Sequence, residues 1–356
     1  MWYNNRNAAI VRLDRLIQRR KFGKGAISIL RIWYNHTMCG ENLTTKTVLQ
    51  DLPGPLLAWY RANARDLPWR RTTDPYQIWV SEIMLQQTRV AAVLGYYARF
   101  LETFPTVEAL AAAPEERLMK LWQGLGYYSR ARNLQAAARQ IMEEHGGSFP
   151  SDYQAVRALK GVGDYTAGAI CSIAFGQPVP AVDGNVLRVV TRVTGDEGDI
   201  TTPAMKAKVA AHLAPIIPLD DPGAFTQAMM ELGATVCLPN GAPLCDTCPA
   251  RSFCTARLEN RVDMLPVKTK KKARRVEERT VWLIFHEGRV ALRRRPAKGL
   301  LAGLWEYPNE LSPASLPLEW GITPLSNEYG CQAKHIFSHI EWHMTGYEVM
   351  VDELEK

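Results

Sequence analysis

Four cysteines, Cys237, Cys245, Cys248 and Cys254, fall in the pattern Cys-x7-Cys-x2-Cys-x5-Cys. Four thiolates at such spacing hold an iron–sulfur cluster or a structural zinc ion, and the spacing leaves both open. Upstream, Leu159-Lys160-Gly161-Val162-Gly163-Asp164-Tyr165-Thr166-Ala167 sets two glycines around a β-branched residue just before a helix start. Such a hairpin turns tightly and points backbone N–H groups outward, which suits an anion such as a DNA phosphate. Asp183-Gly184-Asn185 follows. Its carboxylate can cap the helix after it, steady a positive charge in a cleft, or do both. Glu82 stands between Val80 and Ile83 on an apolar stretch. Desolvation there raises a carboxyl pKa toward the range of a general acid. Taken alone, a Glu on an amphipathic helix is usually structural, so its neighbours must decide.

The elements that position these groups read as helices from Pro53 to about Ala256. Pro55–Ala64 forms a short helix, and 3.6-residue apolar spacing runs from Pro75 to Phe104. Thr106, Pro114, Ser129 and Ser151 mark new starts, and the Ala-rich segments 131–142 and 204–214 favour helix. Lys268, Lys270, Lys271, Lys272, Arg274 and Arg275 make a charge run without an apolar face. It reads as a solvated linker or as a phosphate contact. Beyond Arg279 the pattern changes to strands, Thr280–Phe285 and Val290–Arg293, joined by a turn at Glu287-Gly288. A separate α+β domain is expected there.

The chain has 356 residues, enough for two or three domains, with 47% hydrophobic and 22% charged residues. Its net charge of +7 gives a mild, salt-dependent attraction to polyanions. Seven cysteines, four of them clustered, fit a reducing compartment better than a disulfide framework. Cys39, Cys171 and Cys331 are expected to be inert. No run of eighteen apolar residues is present, so no membrane span is expected. The first 37 residues carry eight Arg or Lys and one acidic residue. They read as a disordered basic arm or a start upstream of Met38, ahead of a mitochondrial transit peptide.

Longer motifs accompany these groups: Trp79-Val80-Ser81-Glu82-Ile83-Met84-Leu85-Gln86-Gln87-Thr88, Gly124-Leu125-Gly126-Tyr127-Tyr128, and Val182-Asp183-Gly184-Asn185-Val186. In this order, with the hairpin and the cysteines, the chain resembles the MutY-type adenine DNA glycosylases of the iron–sulfur helix-hairpin-helix superfamily, from about residue 53 onward. The resemblance implies a mainly α, two-lobed helix-hairpin-helix glycosylase with a [4Fe–4S] cluster on the four cysteines, followed by an α+β Nudix-like domain. The expected division is a basic extension over 1–45 and a cluster lobe from 46–76 plus 181–256. A six-helix barrel lobe covers 77–180, a basic linker 257–279, and the Nudix-like domain 280–356. The first cysteine gap is one residue longer than is common in the family, with Pro239 and Pro243 inside it.

By the same resemblance, Glu82 is the general acid at adenine N7 and the base for the later attack of water. Asp183, oriented by Asn185, stabilises the oxocarbenium-like sugar or adds to it. Tyr165 replaces the Schiff-base lysine of endonuclease III-like enzymes, which implies a monofunctional glycosylase. Gln87, Leu125 and Tyr127 wedge into the duplex, while Trp69, Arg70, Leu85, Val90 and Gln227 line the adenine pocket. Gly161, Val162 and Gly163 hold the DNA backbone, and Lys160 faces phosphate. For Leu125 and Tyr127 a packed helix junction is the alternative reading. Gly299–Pro308 matches the entry of the Nudix-like domain, but no Arg-Glu-x-x-Glu-Glu helix follows, so it should read rather than hydrolyse. Phe337, Ser338 and His339 match the loop that senses 8-oxoguanine. His335 and His343 lack such a match and are expected to be surface or core residues. The chain stops at Lys356, short of the final strand and helix that the resemblance implies. The expected partner is duplex DNA with adenine opposite 8-oxoguanine or guanine, bound by a monomer without membrane contact. The expected setting is a bacterial cytoplasm at the nucleoid, or mitochondrial or nuclear if the leader targets. Rival readings are a bifunctional pyrimidine glycosylase/lyase on the same scaffold, a silent DNA-binding protein, and a nucleotide hydrolase.

Overall fold

Caps and first-turn prolines decide where most helices begin. The computed structural model describes residues 48–269, 273–296, 298–312 and 324–352. The basic leader, Cys39 and Lys270, Lys271 and Lys272 of the charge run lie outside the described residues. Helix α1 (Pro53–Asn63) opens on its proline. Helix α2 (Pro75–Leu85) does the same, with the Asp74 carboxylate accepting the Tyr76 N–H. The run expected from Pro75 to Phe104 is two helices, because α2 stops at Leu85 and α3 (Val90–Thr103) starts afresh. No proline or glycine marks that break. Arg130 satisfies it from outside, donating to the carbonyls of Ile83, Met84 and Gln86 at 2.8, 3.0 and 2.7 Å. The last turn's orphan acceptors are thereby met without further helix.

Helices α4 (Val107–Ala111), α5 (Glu115–Trp122) and α6 (Ser129–Glu144) follow. Helix α7 (Tyr153–Ala158) is capped by Asp152 rather than Ser151, since one Asp152 oxygen takes the N–H groups of both Gln154 and Ala155. The hairpin then leads into α8 (Asp164–Phe175). These helices share one core, with Trp79, Phe100, Leu118 and Trp122 fully buried in it. Leu67, Trp69 and Tyr76, assigned from sequence to the cluster lobe, pack in this core instead. The tight 3-10 turn Pro68–Arg70 sets Trp69 edge-on to Tyr97 at 5.4 Å, which carries that segment across.

A second core gathers Leu49, Leu56, Val190, Phe225 and Leu232. It is built by α1, α9 (Gly184–Thr194), α10 (Pro203–Leu213) and α11 (Pro222–Thr235). A short α12 (Thr255–Leu258) follows the cysteines. Helices α8 and α9 both end on left-handed glycines, Gly176 and Gly195, where a side chain would be strained.

The C-terminal part contains, among the described residues, strands and no helix. Strand β1 spans Arg275–His286, so Arg274 and Arg275, read as linker, already belong to the domain. The Arg274 Nε donates to the Phe337 carbonyl at 3.1 Å, and Arg275 pairs with Glu277. The turn at Glu287-Gly288 has positive φ at both residues and returns to β2 (Arg289–Val290). Short strands β3 (Arg293–Arg294) and β4 (Trp305–Glu306) pair with each other, and β5 (Asn309–Leu311) joins β1. Strand β7 (Ile340–Val351) lies parallel to β1 and antiparallel to β6 (Pro324–Ile336). Trp282, Ile284, Val349 and Val351 form this domain's buried cluster.

Gly168 of α8 backs directly onto the segment that leads to Asp183. A Cβ there would stand 2.3 Å from the Pro180 carbonyl oxygen. Gly168→Ala is therefore expected to destabilise the protein by about 1–3 kcal/mol through overpacking, measured by thermal or urea unfolding.

Candidate active site

The two helical cores meet along an open cleft. Glu82, from the middle of α2, is 5% exposed. The Tyr165 hydroxyl of α8 donates to its Oε2 at 2.6 Å and also touches the Met230 sulfur at 3.6 Å. Burial pushes the Glu82 carboxyl up to about 7, against the Tyr165 hydrogen bond that pulls it down; Asp183 raises it further and Arg70 opposes. A group so placed is half protonated near neutrality and can give or take a proton.

Asp183 lies on the other side of the cleft, at the head of α9. One oxygen accepts the Val186 N–H at 2.7 Å, and the other accepts Asn185 Nδ2 at 2.8 Å. It is thus both cap and cleft carboxylate. Burial raises this carboxyl as well, opposed by the Val186 N–H, the Asn185 amide and the Arg188 charge. The hydrogen bonds continue past it. Arg188 Nη2 donates to Asn185 Oδ1 at 2.8 Å and to the Gly233 carbonyl at 2.7 Å, and its Nε donates to the Cys237 carbonyl at 2.7 Å. One line of polar contacts therefore links the cleft carboxylate to the first cysteine.

Cys237, Cys245, Cys248 and Cys254 line a single cavity, together with Arg192, Arg251 and Arg257. Arg192 is buried; its Nη1 donates to the Cys237 sulfur at 3.3 Å and to the Leu238 carbonyl at 2.9 Å. Among the described residues no three His, Cys, Asp or Glu side chains are gathered to hold one metal ion. The four cysteines line one space beside three cations, which suits a negatively charged group. Burial pushes the Cys248 thiol up to about 12, with the neighbouring cysteines adding to the rise. Four thiolates so close together require a positive centre among them.

Of the other residues singled out in the sequence, Trp69, Arg70, Leu85, Val90 and Gln227 all line the cleft, as does Gln87. Arg70 and Gln227 are already engaged: Arg70 Nη2 donates to Glu231 at 2.6 Å, and Gln227 accepts the Tyr60 hydroxyl at 2.7 Å. Gln87 and Tyr127 are exposed, and both hold positive φ, 58° and 48°. For residues other than glycine this is strained backbone of the kind that collects at functional sites. Leu125 differs from them. It is 6% exposed and packed in the first core, as the helix-junction alternative has it. Gly161, at φ 76°, and Gly163 leave the hairpin backbone exposed, while Val162 is buried as its anchor. Lys160 is exposed beside it, with its backbone N–H given to Gln140 Oε1 at 3.2 Å.

Ser338 and His339 are exposed on the turn between β6 and β7. Phe337 holds that turn in place, its ring 4.4 Å from His335 and 5.0 Å from Trp342. His335 is thus a packing partner of the loop, and His343 bridges Glu278 and Glu341 on the sheet. The Ser338 hydroxyl is hydrogen-bonded to the Tyr127 hydroxyl at 2.8 Å. Cys171 is buried, its thiol pushed up to about 11, and Cys331 is exposed.

Sequence reading missed Arg65, Arg130, Arg188, Arg192 and Glu231. Arg188 sits one helical turn after Asn185, a spacing that was available as a signal. The other four act through contacts between distant segments.

Residues 80–215 match the HhH-GPD superfamily of base excision DNA repair proteins, and residues 280–356 match the NUDIX domain. The adenine DNA glycosylase of Homo sapiens is 39% identical over 310 residues, covering 72% of this chain and 57% of its own length. That of Mus musculus is 36% identical over 362 residues, covering 84% of this chain and 70% of its own. The chain thus spans little more than half of the human relative. Among solved structures, a thermostable thymine-DNA glycosylase superposes with a TM-score of 0.54 at 27% identity, over 60% of this chain and 97% of that one.

Glu82 makes stability depend on pH. Its carboxyl binds a proton more tightly when folded (about 7) than at its ordinary 4.5. Between those values the native state holds the extra proton, so stability falls as pH rises. The full loss is up to about 3 kcal/mol. In Glu82→Gln this loss is expected to vanish, measured as a flatter melting temperature between pH 4.5 and 7.

Proposed function

We propose that this chain, which belongs to the adenine DNA glycosylase family, removes adenine from duplex DNA by hydrolysing its bond to deoxyribose. The observation that carries the reading is a buried carboxyl poised near neutral pH and facing a second carboxylate across one cleft. Adenine leaves poorly as an anion. Glu82 gives its proton to N7 of an extruded adenine, the N9–C1′ bond breaks, and its electron pair stays on the purine. The cationic sugar left behind is steadied by Asp183, whose orientation Asn185 and the Val186 N–H fix. The Glu82 carboxylate then takes a proton from the water that adds at C1′. Tyr165 holds Glu82 by its hydroxyl and offers no amine for an imine with the sugar, which supports base removal without strand cleavage.

Four cysteines around one cavity, with Arg192, Arg251 and Arg257 beside them, support a metal centre, and the likeness to adenine DNA glycosylases favours a [4Fe–4S] cluster there. When bound, the cluster supplies a rigid anchor for the loop from Cys237 to Cys254. The exposed hairpin glycines, the net charge of +7, and the strained Gln87 and Tyr127 support a duplex partner, gripped by phosphates and wedged open. Adenine opposite 8-oxoguanine is the proposed substrate, with the chain acting as a monomer. At position 7 guanine offers an acceptor, whereas 8-oxoguanine carries a proton, and the Ser338 hydroxyl can accept it.

In single-turnover assays on adenine:8-oxoguanine duplexes, Glu82→Gln is expected to slow adenine release by roughly 10²–10⁴-fold. Borohydride should trap no efficient covalent adduct on abasic DNA with the unaltered chain. Undiminished release by that variant removes the assignment. Ser338→Ala should lower the preference for 8-oxoguanine over guanine by roughly fivefold to tenfold, the worth of one hydrogen bond. An unchanged ratio in competition assays would remove Ser338 from lesion reading.

A further inference from the structure

Glu231, on α11, is fully buried yet carries charge. One of its oxygens accepts the Arg65 backbone N–H at 3.1 Å and Arg65 Nε at 2.7 Å. The other accepts Arg65 Nη2 at 2.7 Å and Arg70 Nη2 at 2.6 Å. Arg70 is locked further, its Nη1 donating to the Arg65 carbonyl at 3.0 Å and its guanidinium lying over the Tyr60 ring at 5.5 Å. Burial works against the Glu231 carboxylate, but the bonds from Arg65 and Arg70 reverse that and take it down to about 2. It is therefore a fixed negative charge across the working pH range. Arg70, Glu231, Gln227 and Glu82 all line the same cleft.

From this geometry we infer that Glu231 is a positioning residue for adenine release: it holds Arg70 in the wall of the cleft and neutralises its charge beside Glu82. The inference rests on Glu82 being the proton donor. The groups that act on Glu82 come from every side: Tyr165 from α8, Asp183 from the head of α9, and Arg70 from the 3-10 turn. Arg130 of α6 is bound to the carbonyls at the end of the same helix. Of these, Arg70 favours the Glu82 anion through its charge, and Glu231 is the carboxylate paired with it. With Glu231 neutral, Arg70 acts on Glu82 unopposed, and Glu82 releases its proton at lower pH.

The test is the pH profile of single-turnover adenine release by the full chain carrying its metal centre. In the unaltered protein the rate falls as Glu82 deprotonates. Glu231→Gln is expected to move that alkaline limb down by about one pH unit, a roughly tenfold loss of rate above it, with unchanged circular dichroism. Glu231→Asp, which keeps the charge, should leave the limb near its original position. Arg70→Met, which removes the cation, should move it the other way and keeps the inference testable if Glu231→Gln fails to fold. A limb unmoved by loss of either charge overturns the inference while leaving Glu82 as the acid. Release that survives in Glu82→Gln, or a profile without an alkaline limb, overturns the Glu82 reading and this inference with it.

Discussion

A carboxyl group kept out of water on a helix buried nearly all round sets the terms for the rest of the molecule. Moving an ionised carboxylate into such a place costs several kcal/mol, so Glu82 meets the cost by holding its proton. The neighbours then adjust the balance without removing it. Tyr165 gives one hydrogen bond, which keeps the group near neutrality rather than permanently protonated. Asp183, equally close to the cleft, is treated differently, with two direct hydrogen bonds and a guanidinium on the anion's side. Both acids are raised by burial, and they differ in how many neighbours oppose the rise.

Arg130 is the structural counterpart of that arrangement. Its guanidinium bonds the carbonyls at the end of α2 and also those of Leu125 and Gly126, at 2.9 and 3.1 Å. The Trp122 ring lies 5.4 Å below it and the Tyr127 ring 5.6 Å away. The helix that carries Glu82 and the loop that carries Tyr127 therefore share one fixed point. A displacement of the exposed loop is felt at the base of the acid's helix.

What the sequence made legible follows from this division of labour. Motifs whose chemistry is local could be read: the Asp183 cap with its Asn185, the hairpin glycines, the four cysteines, and the Glu287-Gly288 turn. The end of α2 could not, because nothing in Leu85–Arg89 breaks a helix; the cause is a guanidinium 44 positions from Gln86. Glu231 was hidden for the same reason, its partners lying 161 and 166 residues away. Leu125 is held by packing instead. Its motif suggested a protruding wedge, while packing against the first core took it inside and left Tyr127 as the prominent side chain. Local patterns reveal which chemistry is available, and long-range ion pairs decide how it is held.

Tyr127 and Ser338 stand 211 residues apart along the chain and 2.8 Å apart in space. Each hydroxyl keeps capacity for a further partner. A bond of this kind is worth about 1 kcal/mol, small enough for a well-fitting guest to displace. The loop after α5 and the turn between β6 and β7 are therefore tied by a single bond that either side can exchange.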